Sequence, residues 1–196
     1  NASTVNLPLL RLDDVHRSFG RTKAVAGVSL SVDAGERVLL LGANGSGKSS
    51  LLRLCAGTLL PDRGTRSIGA SGPMPGLGYL GHQPGLYAGL TVDENLKLFS
   101  GLSGFPFPPE SVRDRWGLSE LGDVPFEELS KGQQAKAGLL RVLSGRPPIL
   151  LLDEPSANLD DQAVGTLCEE LTVLGSQQAV LVATHDVERL LSIATR

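Results

Sequence analysis

The sequence predicts an α/β protein with a mainly parallel sheet, an antiparallel β part at its N-terminus and an inserted helical region. Apolar strands alternate with amphipathic helices over residues 38–56 and 133–193, the pattern of a parallel sheet covered on both faces. Residues 28–32 alternate apolar and polar side chains, as half-buried antiparallel strands do. Residues 84–129 carry helix signals but no convincing strand. We therefore expect one domain over residues 1–196 with a helical subdomain inserted at 84–129.

The composition of the 196 residues fits a soluble globular protein, since 41% are hydrophobic and 20% charged. A net charge of −3 gives no general attraction to nucleic acid, so no such partner is expected. Cys55 and Cys168 lie far apart without metal-ligand spacing, which favours core packing. We recognise no signal peptide and no apolar run near the ~20 residues that span a bilayer. We therefore expect a cytoplasmic protein that reaches a membrane only through a partner.

Periodicity, turn residues and capping signals divide the chain into elements. A capping box begins one helix, with Thr91 as the N-cap and Glu94 three residues later. We expect turns or loops at residues 57, 61–64 and 69–78, the last of them mobile because it is rich in Gly and Pro. The predicted strands cover residues 9–15, 28–32, 38–41, 78–81, 149–152 and 179–183. The predicted helices cover residues 50–56, 111–116, 133–143, 160–174 and 187–193, in addition to the one that begins at Thr91.

The segment 42–49 reads Gly-Ala-Asn-Gly-Ser-Gly-Lys-Ser and matches the phosphate-binding P-loop. It lies between an apolar strand and a helix, which is the context that the motif needs; the alternative is a chance Gly-rich turn. Backbone N–H groups and the helix N-terminus would bind phosphates, Lys48 would reach the β- and γ-phosphates, and Ser49 would ligate Mg²⁺. The predicted nucleotide-binding residues are Gly42, Asn44, Gly45, Ser46, Gly47, Lys48, Ser49 and Ser50.

Three more polar residues follow predicted parallel strands, at the sheet edge where open α/β folds bind ligands. Asp153 follows residues 149–152 and can hold Mg²⁺, and Glu154 is a candidate general base for water. The alternative is an acidic pair that begins a turn before a proline. His185 follows residues 179–183 and can contact the γ-phosphate, although a single histidine is more often structural.

Residues 129–134 read Leu-Ser-Lys-Gly-Gln-Gln and resemble the Leu-Ser-Gly-Gly-Gln signature of ATP-binding cassette (ABC) ATPases. The order of P-loop, glutamine loop, signature, aspartate and histidine is also that of the family. The resemblance covers the chain from about residue 9 to its end. The chain is thus identified as a P-loop NTPase of this family. Lys131 departs from the signature, because it adds a charge where a close approach to phosphate is expected.

The resemblance implies further assignments. Gln83 matches the glutamine that approaches Mg²⁺ and the attacking water, and Phe19 matches the aromatic residue that stacks on adenine; for Phe19 the alternative is a core aromatic. Residues 156–160 match the loop that crosses the dimer interface. The implied cofactors are ATP and Mg²⁺. The resemblance implies that the signature residues close over the ATP of a second copy of the chain: Ser130, Lys131, Gly132 and Gln133.

The run Gly-His-Gln-Pro-Gly-Leu at residues 81–86 is similar to the ATP-binding subunit of bacterial haem exporters in cytochrome c maturation. In the ABC family this region receives a short helix from an integral membrane subunit. Leu86, Tyr87 and Leu90 would then lie at that contact; the alternative is that they pack under the helical subdomain.

We therefore expect an ATP-hydrolysing subunit of an ABC transporter, a homodimer around ATP at the inner face of the cell membrane. Two alternatives stay open. One is a non-transport ABC ATPase, whose usual coiled coils, zinc modules or second cassette we do not find in the sequence. The other is a weakly hydrolysing regulatory nucleotide-binding module, which Lys131 keeps open. A P-loop kinase lacks the signature and the histidine corresponding to His185.

Overall fold

A computed structural model describes residues 8–69, 76–174 and 177–196. Most of the loop predicted at 69–78 lies outside these residues, as do residues 1–7 of the predicted domain. The strands are β1 (Leu10–Phe19), β2 (Thr22–Val32), β3 (Arg37–Leu41), β4 (Arg63–Ile68), β5 (Leu77–Leu80), β6 (Ile149–Asp153) and β7 (Ala179–Thr184). The helices are α1 (Lys48–Ala56), α2 (Val92–Ser103), α3 (Glu110–Arg115), α4 (Lys131–Leu143), α5 (Asp161–Val173) and α6 (Val187–Leu190). Short 3₁₀ turns span Ser119–Leu121, Phe126–Glu128 and Leu191–Ile193.

A four-stranded parallel sheet in the order β3-β7-β6-β5 forms the centre of the molecule. Every residue of β6 and β7 is buried, and alternate side chains enter different cores. Leu150 and Leu152 pack with the helical region and α5, whereas Ile149 and Leu151 pack with α1 and β1. This double burial explains why both strands are continuous apolar runs, and it confirms the predicted α/β fold with a parallel sheet.

The prediction of a buried strand at 38–41 is correct in its parallel pairing but wrong in burial, because β3 is the edge of this sheet. The side chain of Leu41 is 48% exposed. The last described residues pair with this edge: the N–H of Leu39 donates to the Arg196 carbonyl at 3.0 Å, and the N–H of Thr195 donates to the Arg37 carbonyl at 2.8 Å.

The antiparallel sheet has the order β2-β1-β4, which confirms the antiparallel part at the N-terminus. Strands β1 and β2 extend beyond the predicted ranges and join in a hairpin with a two-residue turn. Strand β4 was missed, and the predicted turn at 61–64 overlaps its first two residues. Its side chains are mostly exposed, so the segment Arg-Gly-Thr-Arg-Ser-Ile has no apolar alternation to identify a strand.

The region 84–129 contains α2, α3 and two 3₁₀ turns, and its described residues form no named strand. The predicted capping box at the start of α2 is confirmed: the Thr91 hydroxyl accepts from the Glu94 N–H at 3.2 Å, and the Glu94 carboxylate accepts from the Thr91 N–H at 2.9 Å. Buried Trp116 and Leu118 belong to the same core as the strands of the parallel sheet. The division of the chain into a core and an inserted subdomain stays a prediction.

The remaining helices follow the predictions closely. Helix α4 begins two residues before the predicted range, and α5 begins one residue after, because Asp160 is its N-cap and accepts from the Ala163 N–H at 2.7 Å. The helix predicted at 187–193 is shorter: α6 ends at Leu190 and a 3₁₀ turn completes the range. Within the described parts of the chain, every helix is too short or too polar to cross a bilayer.

Candidate functional site

The P-loop connects the end of β3 to the N-terminus of α1. Gly47 occupies the N-cap position with a φ of 96°, a conformation that a side chain would strain. A Cβ at Gly47 would also collide with the Ala24 carbonyl oxygen of β2. No side chain caps this helix, so the N–H groups of its first turn are open to an anion. The loop therefore has the backbone geometry of a phosphate site.

A pocket of about 430 Å³ opens above the P-loop. Residues from five separate parts of the chain meet there, so the ends of β5, β6 and β7 and the P-loop share one edge of the sheet. The lining residues are Thr22, Lys23, Ala24, Asn44, Gly45, Gly47, Lys48, Ser49, Ser50, His82, Glu154, Ala157 and His185.

Lys48 is the buried cation of this pocket. Its Nζ donates to the carbonyl oxygens of Gly42 at 2.7 Å and Ala43 at 3.2 Å, and it lies 3.7 Å from Glu154 Oε1. These contacts hold the ammonium group between the loop and the acidic strand end. Phosphate oxygens would be stronger partners than the two neutral carbonyls, because charge-assisted hydrogen bonds are the stronger class.

Asp153 ends β6 with a side chain that is only 4% exposed. Its Oδ1 is buried and has no hydrogen-bond partner among the described residues. Burial raises the pKa of Asp153 above its ordinary value, and Glu154 raises it further, whereas the Ser49 hydroxyl and the nearby Lys48 and His82 oppose the rise. A divalent cation would remove this cost by supplying positive charge to the unpaired oxygen.

The donor set at this point fits Mg²⁺. Ser49 and Asp153 supply hard oxygen ligands, and they lie close enough for the Ser49 hydroxyl to lower the pKa of Asp153. No group of three or more His, Cys, Asp or Glu residues within 8–69, 76–174 and 177–196 forms a metal cage. In phosphate sites Mg²⁺ binds one or two protein oxygens together with phosphates and waters, and Ser49 and Asp153 could supply those protein oxygens.

Glu154 lies next to Asp153 but contacts a different set of groups. Its Oε2 is 2.8 Å from His185 Nδ1, and it accepts from the His185 N–H and the Thr184 hydroxyl, each at 3.2 Å. Burial raises the pKa of Glu154, but the hydrogen bonds from His185 and Thr184 outweigh it, so the net pKa lies below the ordinary value. The carboxylate is therefore ionised at neutral pH and can accept a proton.

The backbone at Glu154 is unusual, because its φ is 50° and the residue is not glycine. The left-handed region costs a non-glycine residue about 1 kcal/mol or more, and such strain is concentrated at functional sites. The N–H of Glu154 remains satisfied by the Ala183 carbonyl at 2.8 Å. The turn aims the carboxylate across the sheet edge to the end of β7, where His185 lies.

His82 lines the P-loop pocket, whereas Gln83, the residue chosen from the sequence, does not. Gln83 instead lines a neighbouring pocket of about 270 Å³ that also contains Asp153 and Glu154. His82, Glu154 and Ala157 line both pockets. His82 was missed because a histidine beside a motif glutamine gives no signal of its own; only the fold places it at the strand edge.

The signature residues lie at the start of α4 and are not among the lining residues of the P-loop pocket. Ser130 is the N-cap: its hydroxyl accepts from the Gln133 N–H at 3.3 Å, and the Gln133 side chain accepts from the Ser130 N–H at 2.9 Å. A Cβ at Gly132 would lie 3.1 Å from the Asn158 carbonyl. Lys131 is exposed, donates to the Gln134 side chain at 3.3 Å, and lines the second pocket.

Phe19 ends β1 and is 45% exposed, so it is not the core aromatic that the sequence left open as an alternative. It pairs with Thr22, which lines the P-loop pocket. Phe19 itself is not a lining residue of that pocket, and its role stays a prediction.

Comparisons with known proteins agree with this geometry. The family model described as ABC transporter matches residues 25–157. The Cytochrome c biogenesis ATP-binding export protein CcmA of Cupriavidus pinatubonensis is 35% identical over 189 residues, covering 91% of this chain and 84% of that protein. The Fe(3+) ions import ATP-binding protein FbpC of Pseudomonas fluorescens is 34% identical over 207 aligned residues, covering 94% of this chain but 56% of that protein.

Solved structures show the same likeness. The ATP binding subunit of an ABC transporter superposes with a TM-score of 0.83 and 26% identity, covering 95% of this chain and 83% of that one. A dimeric post-hydrolysis state of the ATP-binding cassette MJ0796, bound to ADP and Pi, gives a TM-score of 0.76 and 25% identity, covering 92% and 90%. The chain therefore belongs to the ABC transporter family and has the fold of its ATP-binding subunits.

Proposed function

We propose that this ABC-type ATPase hydrolyses ATP with Mg²⁺ in a site shared by two copies of the chain, and that the reaction drives an integral membrane partner. The observation that carries the proposal is the separation of two half-sites. Lys48, Glu154 and His185 converge on the P-loop pocket, whereas the signature residues lie outside it. A second copy placed head to tail would bring its signature to the first copy's pocket.

Each side chain has a chemical task in this proposal. The Glu154 carboxylate takes a proton from the attacking water, whose oxygen bonds to the γ-phosphorus while the bond to ADP breaks. Lys48 neutralises charge on the β- and γ-phosphates. His185 holds the Glu154 carboxylate in place at 2.8 Å and would contact the γ-phosphate of bound ATP. Mg²⁺, held by Ser49 and Asp153 with Gln83 nearby, would supply further charge neutralisation.

The alternative of a weakly hydrolysing regulatory module depends on Lys131. Glu154, the proposed base, and His185 contact each other beside the P-loop, which supports hydrolysis. Lys131 is exposed and satisfied by a side-chain hydrogen bond, so the start of α4 is still free to approach a phosphate. The proposal therefore keeps hydrolysis as the activity of this chain.

Asp153→Asn should raise the melting temperature of the protein without nucleotide. Burial raises the pKa of Asp153, so its ionised form costs folding free energy at neutral pH, and an amide removes that charge. A gain of about 1 kcal/mol would be about 2–4 °C at this chain length. The gain should shrink as the pH falls through the pKa of Asp153, because the wild-type protein then loses the same charge.

Thermal melts with and without Mg²⁺-ATP check this result. The variant should also lose most of the Mg²⁺-dependent stabilisation by ATP. Asp123→Asn, at an exposed position, is the matched control and should change neither quantity. An unchanged or lower melting temperature in Asp153→Asn would contradict the claim that the buried charge of Asp153 destabilises the nucleotide-free protein.

We propose the surface around Tyr87 as the contact with the membrane partner. Tyr87 is 58% exposed, and its ring stacks on Phe99 with centroids 6.3 Å apart. Buried Asn95 fixes the loop backbone, because its side chain donates to the carbonyls of Tyr87 and Leu90 and accepts from the Tyr87 N–H. Leu86 is half-buried against the core and Leu90 is also half-buried, so the packing alternative still applies to these two leucines but not to the exposed Tyr87. A rigid loop with an exposed aromatic residue is suited to docking.

Tyr87→Ala should leave the ATPase rate of the isolated subunit within about threefold, a barrier change near 0.7 kcal/mol. It should weaken assembly with the membrane subunit by ~2 kcal/mol or more, the usual cost of removing an interface aromatic. Pull-down with the membrane subunit and a thermal melt of the variant alone measure both effects. Leu60→Ala, at an exposed leucine outside this loop, is the control. Normal pull-down with a lowered melting temperature would show that Tyr87 stabilises the fold instead.

We also propose a transported substrate for this ATPase: haem or another small molecule exported during cytochrome c maturation. Two observations favour it, the run at residues 81–86 and the export proteins named CcmA among the relatives. Relatives named for import have similar identity, so a cellular test is needed. Disruption of the gene should remove covalently bound haem from c-type cytochromes, detected by haem staining, while other haem proteins persist. Normal c-type cytochromes would overturn this cargo.

A further inference from the structure

The hairpin between β1 and β2 carries Phe19 on the same face as a buried valine. Arg17 is directly opposite Val25, and residues directly opposite in an antiparallel pair share a face. Val25 is buried in the core that contains α1. Phe19 lies two residues after Arg17 on the same strand, so it shares this face. The ring therefore lies on the side of the sheet that packs against the P-loop helix.

A β-bulge at Ala24 ties this hairpin to the P-loop. Between Arg17 and Ser18 the partner on β2 changes from Val25 to Lys23, so Ala24 is the extra residue. The Ala24 carbonyl lies so close to Gly47 that only a glycine fits there. The end of the hairpin is thus fixed relative to the phosphate site.

Arg17 covers one face of the Phe19 ring. Its guanidinium carbon lies 5.1 Å from the ring centroid, within the range of a cation–π contact. Arg17 Nη1 donates to Asp62 Oδ1 at 2.8 Å, and Asp62 Oδ2 accepts from the Ser18 N–H at 2.7 Å. Asp62 thereby joins the guanidinium to the backbone of β1 and holds it under the ring.

The placement of Arg17 leaves one polar atom unpaired. Arg17 Nε is buried and has no hydrogen-bond partner within the described part of the chain. An unpaired buried donor is unfavourable, and a structure that retains one needs a reason for doing so. The contact with the Phe19 ring supplies a reason, because it requires the guanidinium plane to stay under the aromatic residue.

We propose that Arg17, held by Asp62, is a positioning residue that presents the open face of Phe19 to the purine base of the nucleotide. The inference rests on the proposed ATP site and on the predicted stacking of adenine on Phe19. A ring fixed before binding loses less conformational entropy when a base stacks on it. A cation on one face also withdraws electron density from the ring, which favours stacking of an electron-rich purine on the other face.

Titration calorimetry on the full chain with Mg²⁺ tests this, using ATP and inorganic tripolyphosphate as separate probes. Arg17→Ala should raise the Kd for ATP about five- to tenfold and leave the Kd for tripolyphosphate unchanged, because only ATP carries a base. In steady-state kinetics it should raise KM with kcat unchanged. Arg17→Lys keeps the charge but not the planar group, and should recover part of the ATP affinity.

Arg11→Ala is the matched control, because Arg11 pairs with Asp13 on the same strand at 2.8 Å but at its far end. It should change neither Kd. The double variant Arg17→Ala/Phe19→Ala should bind ATP as Phe19→Ala alone does, since Arg17 acts through the ring.

These measurements distinguish the positioning role of Arg17 from the stacking role of Phe19. If Phe19→Ala weakens ATP binding but Arg17→Ala does not, the positioning role is wrong and the stacking role stands. If Phe19→Ala binds ATP normally, the stacking role is wrong, and the inference with it. Equal weakening of ATP and tripolyphosphate binding by Arg17→Ala would also overturn the inference, because the loss would not involve the base.

Discussion

Replacement of Glu154 with glutamine is expected to lower kcat for ATP hydrolysis by ~10²-fold or more while ATP still binds. The amide has nearly the same shape, and its oxygen can still accept from Thr184 and from the His185 N–H. It cannot, however, take a proton from water at neutral pH. The variant therefore removes the base and retains the pocket.

Rates at saturating ATP and equilibrium binding of ATP measure the two effects separately. Glu188→Gln, at an exposed glutamate of α6, changes the same charge elsewhere and should retain the wild-type rate. Turnover of Glu154→Gln at the wild-type rate would exclude Glu154 as the base.

Lys48→Ala should abolish tight ATP binding. Lys48 is the buried cation of the P-loop pocket, and hydrogen bonds to charged groups contribute about 1.5–3 kcal/mol each. Loss of about 3 kcal/mol corresponds to a Kd increase on the order of 10²-fold. The neighbouring Glu154 would also lose its cation at 3.7 Å, which adds repulsion toward phosphate.

Titration with ATP measures this loss, and circular dichroism shows whether the variant remains folded. Lys97→Ala, at an exposed lysine of α2, is the control for the removal of one positive charge. Near wild-type affinity in a folded Lys48→Ala variant would refute the assignment of residues 42–49 as the phosphate site.

The parts of the fold that the sequence predicted well are those with a strong local cause. The apolar runs of β6 and β7 follow from burial on both faces, and the capping box of α2 is satisfied within four residues. Strand β4 could not be predicted, because its exposed polar side chains depend on pairing with β1 for their conformation. The burial of β3 was overestimated because sequence periodicity does not show which strand is the sheet edge.

In the candidate site, too, local features were predictable from the sequence, and contacts between distant residues were not. The P-loop and the Asp153–Glu154 pair could be read locally, since a motif and a strand end place them. The direct contact between Glu154 and His185 could not be predicted from the sequence, because it depends on the positive φ of Glu154 and on the register of β6 and β7. The support of Phe19 by Arg17 and Asp62 likewise joins residues 45 positions apart in sequence.

The central claim, a site shared by two chains around ATP, is tested most directly by the mass of Glu154→Gln in solution. Light scattering after size exclusion, with and without Mg²⁺-ATP, measures it. Because hydrolysis is blocked, ATP should hold two copies together and roughly double the 20.6 kDa mass of the chain, and removal of ATP should restore the single chain. An unchanged mass at ATP concentrations that saturate the P-loop would contradict the shared site.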